Sequence, residues 1–367
     1  MHIHRAAKGT PWPTVPFASW RLWDAGVTWP QLEPTRGNWD FTLLDRYVQL
    51  AAQHKVEIVL TLGLTPSWAS ARPEEASAYQ PGNAAEPRDV ADWRDYVRTV
   101  ALRYRGAIRN YEIWNEPNVR GTFTGTPATM LQLAQVAYDS LKAIDPGITV
   151  ISPSPTASAG AGWLTEFVEA GGCQYADVVG YHFYVTPSPP EAMIPLIQSV
   201  KKVLHSKPCR DKPLWNTESG WAAPKHFSSD SDAAGYLMRA YVVNWLTGVD
   251  RFYWYAWDNH NWSTLETTTR SGDKTTAVGS AYGVIHDWLL ASMLQSCNVR
   301  KSQLWVCQLT RGKAHSWLVW STNSMQSFRA PQAWGVKRIS TWTGESPAPG
   351  AAIQVGPAPT YLTDSGQ

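Results

Sequence analysis

Short apolar runs alternate with amphipathic stretches from the N-terminus to about residue 295, the pattern left by a parallel sheet whose crossovers are helices. Strand candidates are residues 1–4, 19–24, 56–63, 108–115, 148–153, 177–184, 213–218 and 251–257. Eight such units match a (β/α)8 TIM barrel, so the fold class expected is α/β. Between them, Phe41, Leu44, Val48 and Ala51 form a helical stripe behind a capping Asp40. Val90, Trp93, Val97, Val100 and Tyr104 form a second stripe, and Thr126-Pro127 reads as cap and first residue of a third helix. Further helices are expected near 161–170, 191–204, 231–247 and 280–294. Residues 5–18 carry three prolines and read as a loop.

Beyond about residue 295 the period changes to two in Gln303–Leu309, Ser316–Trp320 and Val336–Trp342. A small antiparallel, sandwich-like β domain is therefore expected over 296–367, attached rigidly to a catalytic barrel over 1–295. A formal net charge of +2 with scattered Lys and Arg leaves no basic surface for nucleic acid. No apolar run reaches the roughly 20 residues of a membrane-spanning helix. Oligomeric state is not legible from these features.

Four cysteines fit no zinc or redox spacing. Cys173 with Cys209 and Cys297 with Cys307 read as two disulfides of a secreted or periplasmic protein, or as four buried thiols. Met1 is followed at once by His-Ile-His, without an apolar leader.

Two strand candidates end on a carboxylate in a similar setting: Trp-Asn-Glu-Pro at 114–117 and Trp-Asn-Thr-Glu at 215–218. Active sites of such barrels lie at the C-terminal strand ends. Two carboxyl groups facing across a sugar are what glycoside hydrolysis needs, one to protonate the leaving oxygen and one to meet the anomeric carbon. Glu116 and Glu218 are thus the catalytic candidates. The content of 21 Trp and 15 Tyr exceeds the ordinary need of a core and suits stacking on sugar rings, although most Trp side chains simply fill volume.

These two strand ends, with the Met-His-Ile-His start, Thr-Pro-Ser-Trp-Ala at 65–69 and Trp-Asn-Glu-Pro-Asn at 114–118, resemble clan A of the retaining glycoside hydrolases. Within the clan the chain is similar to glycoside hydrolase family 39, the β-xylosidases and bacterial exopolysaccharide hydrolases. The resemblance implies that Glu116 on the fourth strand is the acid/base and Glu218 on the seventh the nucleophile. It places Arg21 near the nucleophile, where alternation also turns it inward with Trp23; an ordinary barrel-bottom ion pair is the other reading. Tyr184 would donate to Glu218, and His182 shares its face, as a site residue or a core histidine. Asn115 would bond the hydroxyl beside the reacting carbon, which requires the strand to bend, since alternation points Asn115 away from Glu116.

Trp257 is expected as the floor of the cleaved sugar's subsite, with Trp254 competing. Trp68 and Trp221 are further platforms or packing residues. His2 and His4 form a His-x-His pair without an evident third ligand, so no metal is expected and His4 is read as touching sugar hydroxyls. The chemistry calls for no cofactor. An exo-acting β-xylosidase and an endo-acting polysaccharide hydrolase both fit, the long 64–88 segment favouring an open groove. Other clan A specificities, as in arabinofuranosidases, glucosidases or galactosidases, and a non-catalytic carbohydrate-binding barrel are the alternatives.

Overall fold

The computed structural model describes residues 1–205, 209–300, 302–346, 348 and 350–365. Four strands, β1 (Ser19–Leu22), β2 (Glu57–Leu62), β3 (Asn110–Ile113) and β4 (Thr149–Ile151), pair in parallel in chain order. A second parallel sheet holds β5 (Val179–Tyr181), β6 (Leu214–Ser219) and β7 (Arg251–Trp254). A parallel bridge from Ile151 to Val178 joins the two sheets at one side. At the other side the first residues lie between β1 and β7. The Arg21 N–H donates to the Met1 carbonyl, the His2 N–H to the Trp254 carbonyl and the Trp257 N–H to the His2 carbonyl. Residues 1–4 do not form a regular strand, contrary to expectation; their backbone is shared between two neighbours over too few residues to build a ladder.

Alternation sorts these strands as expected of buried parallel β-structure. Ile58, Leu60 and Leu62 of β2 join the large cluster packed under the helices, whereas Val59 turns to the other face and meets Ile151, Val178, Trp215 and Tyr253. Side chains of both sheets thus share one interior.

The helices are α1 (Trp29–Leu32), α2 (Thr42–His54), α3 (Val90–Arg103), α4 (Pro127–Ile144), α5 (Ala157–Glu169), α6 (Met193–Val203), α7 (Asp230–Leu246) and α8 (Ala277–Leu289). Thr126 caps α4 by accepting from the Thr129 N–H, with Pro127 at a position where its missing N–H costs nothing. Asp89 caps α3 in the same way through the Ala91 N–H. Asp40 accepts from the Thr42 N–H but lies one residue before the N-cap, Phe41. Residues 5–18 form no helix.

The stretch expected as helix over 280–294 ends at Leu289, and β8 (Met293–Val299) begins within it. Strands β9 (Leu304–Arg311), β10 (Ala314–Ser321), β11 (Gln326–Phe328), β12 (Arg338–Ser340), β13 (Ile353–Val355) and β14 (Thr360–Thr363) follow. They form an antiparallel sheet of order β12-β14-β10-β9-β8 and a β11-β13 pair. Leu304, Val319, Ile339 and Leu362 of the larger sheet pack with Phe328, Ile353 and Val355 of the smaller. Cys173–Cys209 and Cys297–Cys307 are disulfides, the latter pairing opposed residues of β8 and β9.

Candidate active site

The site begins with a bend. After β3 the chain passes through Trp114 and Glu116 with φ of 62° and 47°, both in the left-handed region that non-glycine residues rarely enter. Such conformations persist where surrounding contacts over-determine them. Here Trp114 is fully buried with its indole N–H on the Thr122 carbonyl, and the Glu116 N–H donates to the Ser154 carbonyl. The two turns undo strand alternation, so Asn115 reaches Arg21 while Glu116 reaches His182 in the same cluster of side chains. Glu218 leaves β6 directly opposite.

Arg21, fully buried on β1, ties the site together. Its Nε donates to Glu112 Oε2 at 2.5 Å, its Nη1 to Glu218 Oε2 at 2.7 Å and its Nη2 to Asn115 Oδ1 at 2.8 Å. A planar guanidinium presents these donors at fixed angles, so one side chain orients three others. Tyr184 donates its hydroxyl to Glu218 Oε1 at 2.9 Å, leaving both oxygens of Glu218 facing donors. Glu116 Oε1 lies 2.9 Å from His182 Nδ1, and His182 Nε2 lies 3.1 Å from Thr217 Oγ1. One oxygen of Glu116, one of Glu218 and one ring nitrogen of His182 all lie within 4.8 Å of one another.

Burial lifts Glu218 to about 7, against the pull of His182 and Arg21 and with help from the charge of Glu116. The two carboxyls titrate as one system that keeps a proton up to that range. Its place follows from the donors. Arg21 cannot accept a hydrogen bond, so a proton on Glu218 would disrupt its contacts, whereas Glu116 faces the His182 nitrogen and the Thr156 hydroxyl, each able to accept. An N–H donated by His182 would pull Glu116 down, burial notwithstanding; a bare nitrogen there would hold the proton on it. Tyr184 is pushed well above the usual phenol range by burial and by Glu218, so it stays a donor.

Around this centre the aromatic residues sort differently from the sequence expectation. Trp257 is 2% exposed and packed in the core, and Trp254 is fully enclosed. Trp221 is also enclosed, its indole N–H on the Ser188 carbonyl and its ring stacked on Trp254. Trp68 donates to the Glu33 carbonyl, and Arg36 covers its face at 4.6 Å. Trp257, Trp254 and Trp221 present no open ring face, because indoles of this size are effective fillers between strands and helices, whereas Trp68 is half-buried with Arg36 on one face. Trp262 is an exposed ring, 38% accessible, set edge-on against both Tyr184 and Tyr255. Its polar surroundings, Asn-His-Asn-Trp-Ser after the last strand, are the signal that would have singled it out.

His4 packs against the Tyr255 ring at 5.1 Å, and its Nε2 has no protein partner. His2 is fully buried and bonds the Thr217 carbonyl through Nε2, tying the N-terminal segment to β6. Two further residues went unread in the sequence. Glu112, fully buried in β3, accepts from Arg21, Thr61 and Ser154. Asp24, at a left-handed φ of 54°, is exposed beside the site and accepts from the hydroxyls of Tyr79 at 2.9 Å and Tyr255 at 2.7 Å. A glutamate inside the apolar run Tyr111-Glu112-Ile113 was the available sign of the first.

Known proteins share this fold. A family 39 glycoside hydrolase from Bacteroides cellulosilyticus superposes with a TM-score of 0.76 at 18% identity, covering 94% of this chain and 75% of that one. A family 39 β-xylosidase from Caulobacter crescentus gives a TM-score of 0.67 at 16% identity over 98% and 90% of the two chains. A family 30 endoxylanase from Clostridium papyrosolvens gives 0.62 at 16% identity, covering 95% and 89%. The description "Glycosyl hydrolases family 39" matches residues 22–247, more than half of the sequence. By that match the chain belongs to glycosyl hydrolases family 39 and is a glycosidase acting on carbohydrate.

Proposed function

We propose that this protein is a retaining β-glycosidase of β-xylosidase-like specificity, with Glu218 as nucleophile and Glu116 as acid/base. The observation that carries the reading is that one oxygen of Glu116 and one of Glu218 lie within 4.8 Å, too close to leave the wider gap of an inverting pair, with the two carboxyls held by different kinds of partner. Retaining enzymes keep their carboxyls about 5–5.5 Å apart, whereas inverting ones leave room for a water at roughly 6.5 Å or more. Arg21 and Tyr184 stabilise charge on Glu218, and the proton of the pair stays with Glu116.

In the first step Glu218 attacks the anomeric carbon while Glu116 transfers its proton to the leaving oxygen, giving a glycosyl ester. Loss of negative charge on Glu218 lowers the proton affinity of Glu116, relative to its charged neighbour state, as the sugar cation is neutralised. Glu116 then takes a proton from water, which cleaves the ester with net retention. Asn115, held by Arg21 through its oxygen, offers its amide nitrogen to the neighbouring sugar hydroxyl. Trp262 supplies the ring platform, and His4 and Asp24 border the same space. We infer a closed barrel of the seven strands β1–β7 with the irregular Met1–His2 segment in the eighth place, supported by the shared interior of the two sheets and that segment's bonds to β1 and β7, and a β domain that begins with β8 at Met293, three residues before the boundary expected from the sequence. The two disulfides favour an oxidising, secreted or periplasmic setting.

The endo-acting reading rests on the likeness to an endoxylanase and on the long 64–88 segment. That segment is tied down, with Arg72 paired to Glu75 and Glu86 and Tyr79 bonded to Asp24, so it walls the site on one side. Incubation with aryl β-xyloside and, separately, with polysaccharides separates the two. Single sugars from the aryl glycoside support the exo reading. Oligosaccharides from a polymer, with the aryl xyloside untouched, replace it with the endo reading.

A further inference from the structure

Behind Glu116 runs a chain of buried side chains whose hydrogen bonds can point in one direction only. It ends at Glu112, a carboxylate that accepts from Arg21 Nε at 2.5 Å and from Thr61 Oγ1 at 2.7 Å. Ser154 Oγ lies 2.5 Å from the other oxygen of Glu112. An ionised carboxylate has no proton to give, so the single hydroxyl proton of Ser154 is committed there. Thr217 Oγ1 lies 3.2 Å from Ser154 Oγ and must be the donor in that contact. The Thr217 hydroxyl is also within reach of Glu112 itself, and donation there leaves the same result. With its proton spent toward Glu112, Thr217 has only lone pairs to offer His182 Nε2 at 3.1 Å.

We propose that Thr217 is a positioning residue that fixes His182 with its proton on Nε2, and so turns a bare Nδ1 toward Glu116 and keeps the proton on the acid. This rests on Glu116 being the acid/base. Glu112, Ser154, Thr217 and His182 are all fully buried, so no water substitutes for a missing partner. Space for the chain is reserved by Gly180 of β5, where a Cβ would come within 2.0 Å of Ser154 Oγ. The charged groups facing the His182–Glu116 pair are Arg21 from β1, Glu112 from β3 and Glu218 from β6, with the Tyr184 phenol beyond His182 on its own segment. The opposite tautomer would donate Nδ1–H to Glu116 and stabilise its carboxylate, the wrong state for a resting acid. A proton shifted across the Glu116–His182 bond would make His182 an imidazolium donating to a Glu116 carboxylate, so a ring found protonated on both nitrogens overturns the proposal.

The test is long-range proton–nitrogen correlation NMR on the full chain labelled at histidine nitrogen, without substrate, so it does not depend on any activity. The expected result is a protonated Nε2 on His182 in the unmodified protein and in Thr217→Ser, assigned by comparison with His182→Gln. In Thr217→Val the Nε2 proton loses its acceptor; the Nδ1–H form appears and the alkaline limb of kcat/KM moves to lower pH by about one unit, ~10-fold in rate above the limb. A bare Nε2 in the unmodified protein overturns the proposal, and that measurement stands even if Thr217→Val does not fold. An unchanged tautomer and an unchanged pH limb in a folded Thr217→Val also overturn it. Absence of hydrolysis on every glycoside, with Nε2 protonated, would instead remove the catalytic reading and leave the chain intact.

Discussion

Arg21 places one permanent charge between two carboxylates with different duties, Glu112 for structure and Glu218 for chemistry. Arg21→Met leaves Glu112 buried without its cation, a loss of about 3–5 kcal/mol that urea denaturation would register as a lower midpoint. Glu218→Ala, by contrast, should leave the fold near normal stability and lower turnover by at least ~10⁴-fold. Azide added to Glu218→Ala should enter from the open face and give an inverted glycosyl azide; a retained product would assign the nucleophile elsewhere. The acid must be protonated to act, so kcat/KM should fall as pH rises through the upper titration of the coupled pair. Flat activity to well above pH 8 would separate the Glu116–Glu218 proton from the rate. Both glutamates could be picked from the sequence because strand ends specify where such residues sit, and alternation put Arg21, His182 and Tyr184 on inward faces; Asn115 and the partners of Glu218 came only from the family resemblance, Asn115 against the alternation. Trp262 and Asp24 could not, since their positions depend on loop paths that leave no period.

Strands and helices were legible where burial imposes a rhythm and obscure where two structures share one. The apolar spacing of α8 continues past Leu289 into Met293 and Leu294, which belong to β8 and are half of an exposed edge. The N-terminal four residues look like a strand because they are apolar at alternate positions, yet they bond β1 and β7 through isolated contacts. Gly220, directly after β6, marks the closest approach of two such elements: a Cβ there would meet the Tyr255 carbonyl oxygen at 1.9 Å. Neither backbone can give way without shifting Glu218, two residues earlier, or Tyr255, which bonds Asp24. Gly220→Ala should therefore cost about 1–3 kcal/mol in thermal or urea unfolding and lower kcat as well. A variant as active and stable as the parent would show that the strand end has slack.

At the scale of the whole molecule, the question is how the β domain is held to the parallel sheets. Glu191, between β5 and α6, accepts from Arg239 of α7 at 3.0 Å and from the indole N–H of Trp320 in β10 at 3.0 Å. Arg239 and Trp320 are both buried, and Trp320 is stacked on Trp305 of β9 at 5.2 Å. Nearby, Gly235 of α7 lies so close to the Pro357 carbonyl that a Cβ would fall within 2.4 Å. A largely buried charged joint is stronger when complete than when one member is removed, since Arg239 and the Trp320 N–H are then left buried and unpaired. Rigid attachment, expected from the absence of a linker in the sequence, then has a thermodynamic consequence. The intact chain should unfold in one calorimetric transition, because opening this joint exposes Trp305, Trp320 and the α7 surface together. Glu191→Ala should lower stability by about 3 kcal/mol and broaden or split that transition, while the hydrolytic pH profile stays where it was. Two well-separated transitions in the unmodified protein would mean that the β domain folds independently and that Glu191 joins two finished units instead of completing one.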